Sequence, residues 1–371
     1  MIYADNAATT QLSKTALKAM MPWLLGEYGN ASQLYSFARK PKKALFDARK
    51  IIAECINANP EEIFFTSGGT ESNNWAIKGS AFSDCRKGEI ITSAFEHHAV
   101  LRSCAAIEQL GYYVSYLMPT PQGVILPTTL SEMLCDKTRL VSIMLANNEI
   151  GTIQPIKALC KAAHSHGALF HTDAVQAVGH VNIDVRELGV DMLSASAHKF
   201  NGPKGIGFLY IRKGVEILPY LDGGKQENQY RAGTENIASI VGMAAALKEN
   251  CDTINENIAS VRSMEFRLLD ALCSLEIPFI RNGGDNTLPG LVSLSFDGAD
   301  GEKILHRMDL AGISISTGSA CNSTNTEISH VLQAIKLNEA HAKGTIRISL
   351  GKSNTLDEID SIINALIKIL R

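Results

Sequence analysis

The chain has 371 residues, of which 45% are hydrophobic and 20% are charged, a composition typical of a globular protein with a substantial core. Its formal net charge is −3, which gives no basic field for nucleic acid or an anionic membrane surface. The first residues lack the charged start and apolar run of a secretory signal, and no stretch approaches the roughly 18 apolar residues of a membrane span. We therefore expect a cytoplasmic protein.

Short apolar runs alternate with helical periodicity along the first 250 residues. The apolar stripes predict helices over residues 42–58, 99–110 and 155–166. The short apolar runs predict buried strands over residues 62–66, 89–93, 112–118, 140–145, 168–171 and 205–211. Strands that alternate with helices pair in parallel and are covered on both faces, so this part of the chain predicts an α/β fold.

The pattern changes after about residue 250. A long helix is predicted over residues 255–275, strands over residues 290–296 and 345–350, and a last helix from residue 356 onwards. These elements are typical of a smaller α+β domain. We expect a large domain over residues 15–255 and a small domain formed by residues 1–14 and 256–371.

The eight cysteines are scattered, with no CxxC pair, which argues against a disulfide framework and a zinc knuckle. Most of them fit small buried hydrophobic positions. Cys321 differs, because it lies in a polar, small-residue segment that is typical of an exposed loop. An exposed thiolate is a nucleophile, although these local features fit an incidental surface cysteine equally well.

Lys199 follows a predicted strand and precedes the Gly-Pro-Lys-Gly segment of residues 202–205. That order puts it at the carboxyl end of a strand, where open α/β sheets bind their ligands. A lysine can form a Schiff base with an aldehyde cofactor, and Ser196 and His198 could donate to the phosphate of that cofactor. Taken alone, the same residues also fit an exposed lysine in a turn.

Asp173 ends the ALFHTD run. A carboxylate at this point could keep a pyridine nitrogen protonated, so that the ring accepts electrons. Gln176 lies three residues further on and could reach the same ring. The alternative is a helix N-cap, a role that suits an aspartate after a strand.

Two more segments could contact a cofactor. Gly69 and Thr70 lie in a Gly-rich turn between a strand and a helix, where backbone amides suit a phosphate, although the turn also fits an ordinary helix cap. His97 could stack on an aromatic ring and carry protons near neutral pH. A structural histidine is the alternative at that position.

Arg347 interrupts a strand of alternating Ile and Leu in TIRISLG. An arginine binds a carboxylate through two parallel hydrogen bonds, as an amino-acid substrate requires. The alternative is an arginine on the solvated face of the strand.

A cluster of histidines resembles a metal site but has the wrong spacing for one. His164 and His166 are two residues apart in a predicted helix, so they do not share a face. His171 belongs to the next strand, and the spacing lacks a zinc signature. We expect no metal site.

Taken together in chain order, these segments are specific. TSGGTESNN, EHHAV, NNEIG, HTDAVQ, SAHK with GPKG, RAGTEN and GSAC resemble the cysteine desulfurases, which are class V, fold-type I pyridoxal-phosphate (PLP) enzymes. The likeness runs from residue 3 to the last helix, and SACNS is similar to the NifS/IscS-type branch. The resemblance implies a mostly parallel seven-stranded sheet flanked by helices, a smaller C-terminal α+β domain, and a homodimer with active sites near the subunit interface.

The resemblance also implies a role for each site residue. Lys199 would be the Schiff-base lysine, His97 would stack on the ring and assist proton transfer, and Cys321 would accept sulfur. Asp173 would pair with the pyridine nitrogen, and Arg347, with Asn148, would bind the substrate carboxylate. The other implied cofactor contacts are Gly69, Thr70, Asn148, Gln176, Ser196, His198 and, from the other subunit, Thr234.

The implied reaction converts L-cysteine to L-alanine and leaves a persulfide on the enzyme, which would supply an iron–sulfur scaffold or a thiolation enzyme. A selenocysteine lyase and a class V aminotransferase remain as alternative PLP enzymes. A non-catalytic binding protein with the same fold is a third alternative, although Lys199 and Asp173 are both present.

Overall fold

The computed structural model describes residues 1–83, 88–317 and 328–371. Its strands are, in chain order, β1 (Ile2–Tyr3), β2 (Ile63–Thr66), β3 (Glu89–Ser93), β4 (Tyr113–Leu117), β5 (Thr138–Ser142), β6 (Leu169–Asp173), β7 (Met192–Ser196), β8 (Gly207–Ile211), β9 (Ile280–Asn282), β10 (Leu291–Ser295), β11 (Ile313–Ser314), β12 (Ser316–Thr317) and β13 (Thr345–Ser349). Its α-helices are α1 (Lys14–Leu25), α2 (Arg39–Cys55), α3 (Gly69–Phe82), α4 (His98–Gln109), α5 (Pro127–Met133), α6 (Ile156–His164), α7 (Val185–Leu188), α8 (Ile237–Asp252), α9 (Ile254–Ser274), α10 (Gly301–Leu310), α11 (His330–Ala334), α12 (Glu339–Lys343) and α13 (Leu356–Leu370).

A seven-stranded sheet with the order β2-β8-β7-β6-β5-β3-β4 forms the centre of the large unit. β8 runs antiparallel to β2 and β7, and the other neighbouring pairs are parallel. Two of its inner strands, β7 and β8, are buried along their whole length, because helices cover both faces. One hydrophobic cluster contains Phe170 and Phe208, and another contains Trp75 and Leu209. The mostly parallel sheet predicted for a fold-type I enzyme is confirmed.

The sheet brings the predicted site segments to one edge. β2, β3, β5, β6 and β7 all run in the same direction, so their carboxyl ends meet there. Asp173 is the last residue of β6, and Lys199 follows β7 in a short 3-10 turn. This edge is where open α/β sheets bind ligands.

A second, four-stranded antiparallel sheet has the order β12-β13-β10-β9. Together with α9, α10 and α13 it buries its own hydrophobic cluster, which includes Leu268, Val292 and Ile362. β1 pairs in parallel with β11, so the N-terminus joins this smaller unit. Val331 and Leu332 of α11, by contrast, pack in the core beneath the large sheet. The division at residues 14 and 255 stays a prediction.

One strand ends earlier than the sequence predicts. The apolar run of residues 140–145 predicts a strand to Leu145, whereas β5 ends at Ser142. The run stays buried and still bonds to β6, since the amides of Ile143 and Leu145 donate to the carbonyls of His171 and Asp173. Hydrophobicity alone therefore marks burial at this point and does not mark where the regular ladder ends.

None of the helices in the described ranges is both long and apolar enough to cross a bilayer.

Candidate active site

A cavity of about 650 Å³ opens at the carboxyl edge of the large sheet. The predicted site residues among its lining are Gly69, Thr70, His97, Asn148, Asp173, Gln176, Ser196, His198, Lys199 and Arg347. Thr234 is exposed and is not part of the lining of this cavity in its own chain. Cys321 lies outside the described residues.

The start of α3 lies against the end of β7. A Cβ atom added to Gly69 would lie only 2.5 Å from Cγ2 of Val175 and 3.6 Å from Cβ of Ser196. Glycine therefore lets the helix N-terminus approach the cavity closely. Because the first amides of a helix have no partner within the helix, this end of the 14-residue α3 suits an anion.

Asp173 is buried and held by two hydrogen bonds. The side-chain amide of Asn73 donates to its Oδ2 at 2.6 Å, and the amide of Val175 donates to its Oδ1 at 3.0 Å. Oδ1 of Asn73 is buried and has no hydrogen-bond partner within the described residues. These two donors fix the direction of the carboxylate.

Lys199 lies beside the N-terminal segment. Its Nζ donates to the carbonyl of Ala7 at 2.5 Å and to that of Ala8 at 2.9 Å. The side-chain amide of Gln176 donates to the same Ala7 carbonyl at 2.9 Å. The backbone of residues 7 and 8 thus forms one wall of the cavity and holds the lysine amine at it.

His198 is fixed by the same segment. Its Nδ1 lies 3.1 Å from Oγ1 of Thr9, and its carbonyl accepts from the amide and the hydroxyl of Thr10. Burial, followed by the positive charges of Lys199 and Lys204, lowers the pKa of His198 to about 4. The ring is neutral at physiological pH and can offer one N–H donor.

His97 caps the start of α4. Its Nδ1 accepts from the amide of Ala99 at 3.1 Å, which leaves Nε2 to carry the proton of the neutral ring. Burial lowers the pKa of His97, and the charge of Asp173 acts in the opposite direction. The ring therefore lines the cavity as a neutral aromatic surface.

Arg347 reaches the cavity from β13. Its Nη1 donates to the carbonyl of Asn148 at 2.9 Å, and its Nη2 to Oδ1 of Asp5 at 2.8 Å. The strand face that holds it is buried, so the alternative of a solvated arginine is wrong. Because Asn148 contributes its backbone oxygen to this bond, its side chain is not engaged in holding the guanidinium.

Comparison with known proteins shows the family of the chain. The family model described as aminotransferase class-V matches residues 2–362. A relative from Methanosarcina thermophila named cysteine desulfurase IscS is 46% identical over 100% of this chain and 92% of its own length. The chain belongs to the cysteine desulfurases. A second relative of that name, from Dictyoglomus turgidum, is also 46% identical, over 100% of this chain and 94% of its own.

Solved structures of this family share the fold. A structure titled NIFS-like protein has a TM-score of 0.92 and 36% identity, and covers 99% of this desulfurase and 98% of its own chain. A structure titled SspA in complex with cysteine has a TM-score of 0.85 and 39% identity, with 96% and 100% covered. Class-V enzymes of this kind use pyridoxal phosphate.

Two buried carboxyl groups lie beside the site of this desulfurase. Burial raises the pKa of Glu96 to about 8 and that of Glu149 to about 7. Oε1 of Glu96 accepts from Ser93 at 2.6 Å and from the amide of Met144 at 2.8 Å. Oε2 of Glu149 accepts from Ser329 at 2.5 Å. The bond between Ser329 and Glu149 joins the NNEIG segment to the residues just after the segment of 318–327.

Sequence reasoning missed four contributors to the site. Asn73 could have been found, because it lies one helical turn after Gly69 and so shares its face of α3. The Ala7 and Ala8 carbonyls carry no signal in the sequence, since any residue has a carbonyl. Asp5 pairs with an arginine 342 residues away, a separation that no local pattern reports.

Proposed function

We propose that this desulfurase binds PLP in the cavity at the sheet edge and converts L-cysteine to L-alanine, with its sulfur passing to Cys321. The observation that carries the proposal is the convergence of Lys199, Asp173, His97 and Arg347 on one cavity of about 650 Å³. That volume suits a cofactor with a small substrate. The amine, the carboxylate, the neutral ring and the guanidinium are the groups that such a reaction needs.

The residues present fit the cofactor. The α3 N-terminus at Gly69 and Thr70, with Ser196 and neutral His198, would hold the phosphate. Asp173 would face the ring nitrogen, Gln176 and Asn148 the phenolic oxygen, and His97 the ring face. Lys199 would bind the aldehyde. When bound, PLP accepts electrons from the substrate α-carbon and so eases loss of the α-proton.

The chain's own groups would then perform the transfer. Arg347 and Asn148 would hold the substrate carboxylate. Lys199 would take the α-proton, and the neutral ring of His97 would assist its return. The Cys321 thiolate would attack the substrate sulfur: a sulfur–sulfur bond forms, the carbon–sulfur bond breaks, and its electron pair stays with the carbon that is protonated to give alanine.

The wider setting of the reaction is also a proposal. A structural neighbour is described as bound to cysteine, which supports cysteine as the substrate. We propose a cytoplasmic homodimer in which Thr234 of each subunit completes the phosphate site of the other. The persulfide would pass to an iron–sulfur scaffold or a thiolation enzyme.

The test uses purified holoenzyme and compares Cys321→Ser with Cys273→Ser, the same change at a cysteine that the structure describes as exposed. Cys321→Ser should keep the yellow colour of the bound cofactor and lose persulfide formation, whereas Cys273→Ser should keep both. Lys199→Ala should lose the colour and alanine formation. Full persulfide formation by Cys321→Ser would refute the role of Cys321, and normal colour in Lys199→Ala would refute that of Lys199.

A further inference from the structure

We infer that Asp5 is the counter-ion and positioning residue of Arg347, and that an incoming substrate carboxylate has to share the guanidinium with it. The inference rests on the proposed function, because it takes Arg347 as the group that binds the substrate carboxylate.

The guanidinium of Arg347 is almost fully removed from water, with its side chain 4% exposed. Nη2 donates to Oδ1 of Asp5 at 2.8 Å, and Nη1 donates to the Asn148 carbonyl at 2.9 Å. Nε is buried and has no hydrogen-bond partner among residues 1–83, 88–317 and 328–371. Arg347 has five N–H donors, and at least the one on Nε is therefore available to an acceptor in the cavity that Arg347 lines.

Asp5 is held in place by the strand that carries the arginine. The Asn6 amide donates to the Ser349 carbonyl at 3.0 Å, and the Ala7 amide donates to Oγ of Ser349 at 2.9 Å. Ser349 lies two residues after Arg347 on β13, so both point from the same face of the strand. The position of the Asp5 carboxylate is thus set relative to the guanidinium.

This arrangement has a consequence for binding. A buried cation without a counter-ion is unfavourable, so Asp5 stabilises Arg347 while the site holds no substrate. The same negative charge repels a second carboxylate that approaches the guanidinium. Asp5 therefore lowers the affinity of the site for carboxylates, and this includes the alanine product, whose release it favours.

The test measures inhibition of the holoenzyme by two halves of the substrate. The first is 3-mercaptopropionate, which has the thiol and carboxylate but no amine. The second is cysteamine, which has the thiol and amine but no carboxylate. Asp5→Asn keeps the shape and an acceptor oxygen and removes the charge. We expect its Ki for 3-mercaptopropionate to fall about fivefold, roughly 1 kcal/mol, and product inhibition by alanine to strengthen similarly, with the Ki for cysteamine unchanged.

The matched control is Asp360→Asn, which removes the acidic partner, on α13, of an exposed ion pair with Arg267 on α9. It should leave all three inhibition constants unchanged. Asp5→Ser, which also lacks the charge, should lower the same constants, and it carries the test if Asp5→Asn does not fold.

Two outcomes separate this inference from the proposed function. Arg347→Ala should weaken inhibition by 3-mercaptopropionate and leave inhibition by cysteamine unchanged. If it does so while the Asp5 variants leave the Ki for 3-mercaptopropionate unchanged or higher, the role of Asp5 is wrong and that of Arg347 stands. If Arg347→Ala leaves 3-mercaptopropionate binding unchanged, the proposed carboxylate site itself fails.

Discussion

Replacing Ser329 by alanine tests the buried carboxyl group beside the site. The Ser329 hydroxyl donates to Oε2 of Glu149 at 2.5 Å and accepts from the Val331 amide at 3.0 Å as the N-cap of α11. The variant therefore loses a helix cap at every pH, and it loses a charge-assisted bond only when Glu149 is ionised. Burial raises the pKa of Glu149 to about 7, and the bond from Ser329 and the charge of Arg347 oppose that rise.

The magnitudes follow from these contacts. A lost N-cap costs about 1 kcal/mol, and a neutral hydrogen bond about 1 kcal/mol more. Below neutral pH we therefore expect Ser329→Ala to lower the free energy of unfolding by about 2 kcal/mol. Above neutral pH the lost bond is to a carboxylate, worth about 1.5–3 kcal/mol, so the loss should grow to about 2.5–4 kcal/mol.

The sign of this pH dependence is fixed by linkage. The raised pKa of Glu149 means that the folded state keeps a proton that the unfolded state releases, so stability falls as pH rises towards about 7. Without Ser329 that pKa rises further, and the loss of stability extends to higher pH. The difference in free energy of unfolding between the variant and the parent protein should thus increase above neutral pH.

The assay is denaturant unfolding of both proteins at pH ~5.5 and pH ~8.5, on either side of the Glu149 titration. Glu149→Gln is the control background, since its amide does not ionise, and in it the effect of Ser329→Ala should be equal at both pH values. With Glu149 intact, a difference in the free energy of unfolding between Ser329→Ala and the parent that is the same at both pH values would refute the reasoning.

Two further predictions concern packing and charge. Gly69→Ala should weaken PLP binding to the apoprotein about tenfold, because its Cβ would lie 2.5 Å from Cγ2 of Val175. Adding Val175→Ala to this variant should restore the affinity if the overlap is the cause. A normal affinity in Gly69→Ala would contradict the prediction. Burial lowers the pKa of His171 to about 3, so the folded state binds less proton than the unfolded state and stability should fall as pH drops below about 6.5. Between pH ~7.5 and ~4.5 the free energy of unfolding of His171→Gln, measured with denaturant, should fall by about 3 kcal/mol less than that of the parent protein. An equal fall in both proteins would show that His171 is not held neutral.

Local pattern was sufficient to place the candidate site residues that end or follow strands. Asp173 and Lys199 each come directly after an apolar run, and parallel strands bring such positions to one edge whatever the loops between them do. Gly69 was placed at the same edge by its position between a strand and a helix, although that pattern fits an ordinary helix cap as well as a phosphate site. Arg347 was identified as a candidate because it is a charged residue within an apolar strand.

The tertiary structure decided how these groups are held and which of their alternatives is correct. Lys199 bonds to carbonyls 192 and 191 residues away, and Arg347 to a carboxylate 342 residues away. Periodicity and propensity report only neighbours along the chain, whereas these bonds exist because the N-terminal segment crosses between the two sheets. The sequence by itself determined the chemical groups and the sheet edge at which they meet, and long-range packing alone determined their partners, burial and charge states.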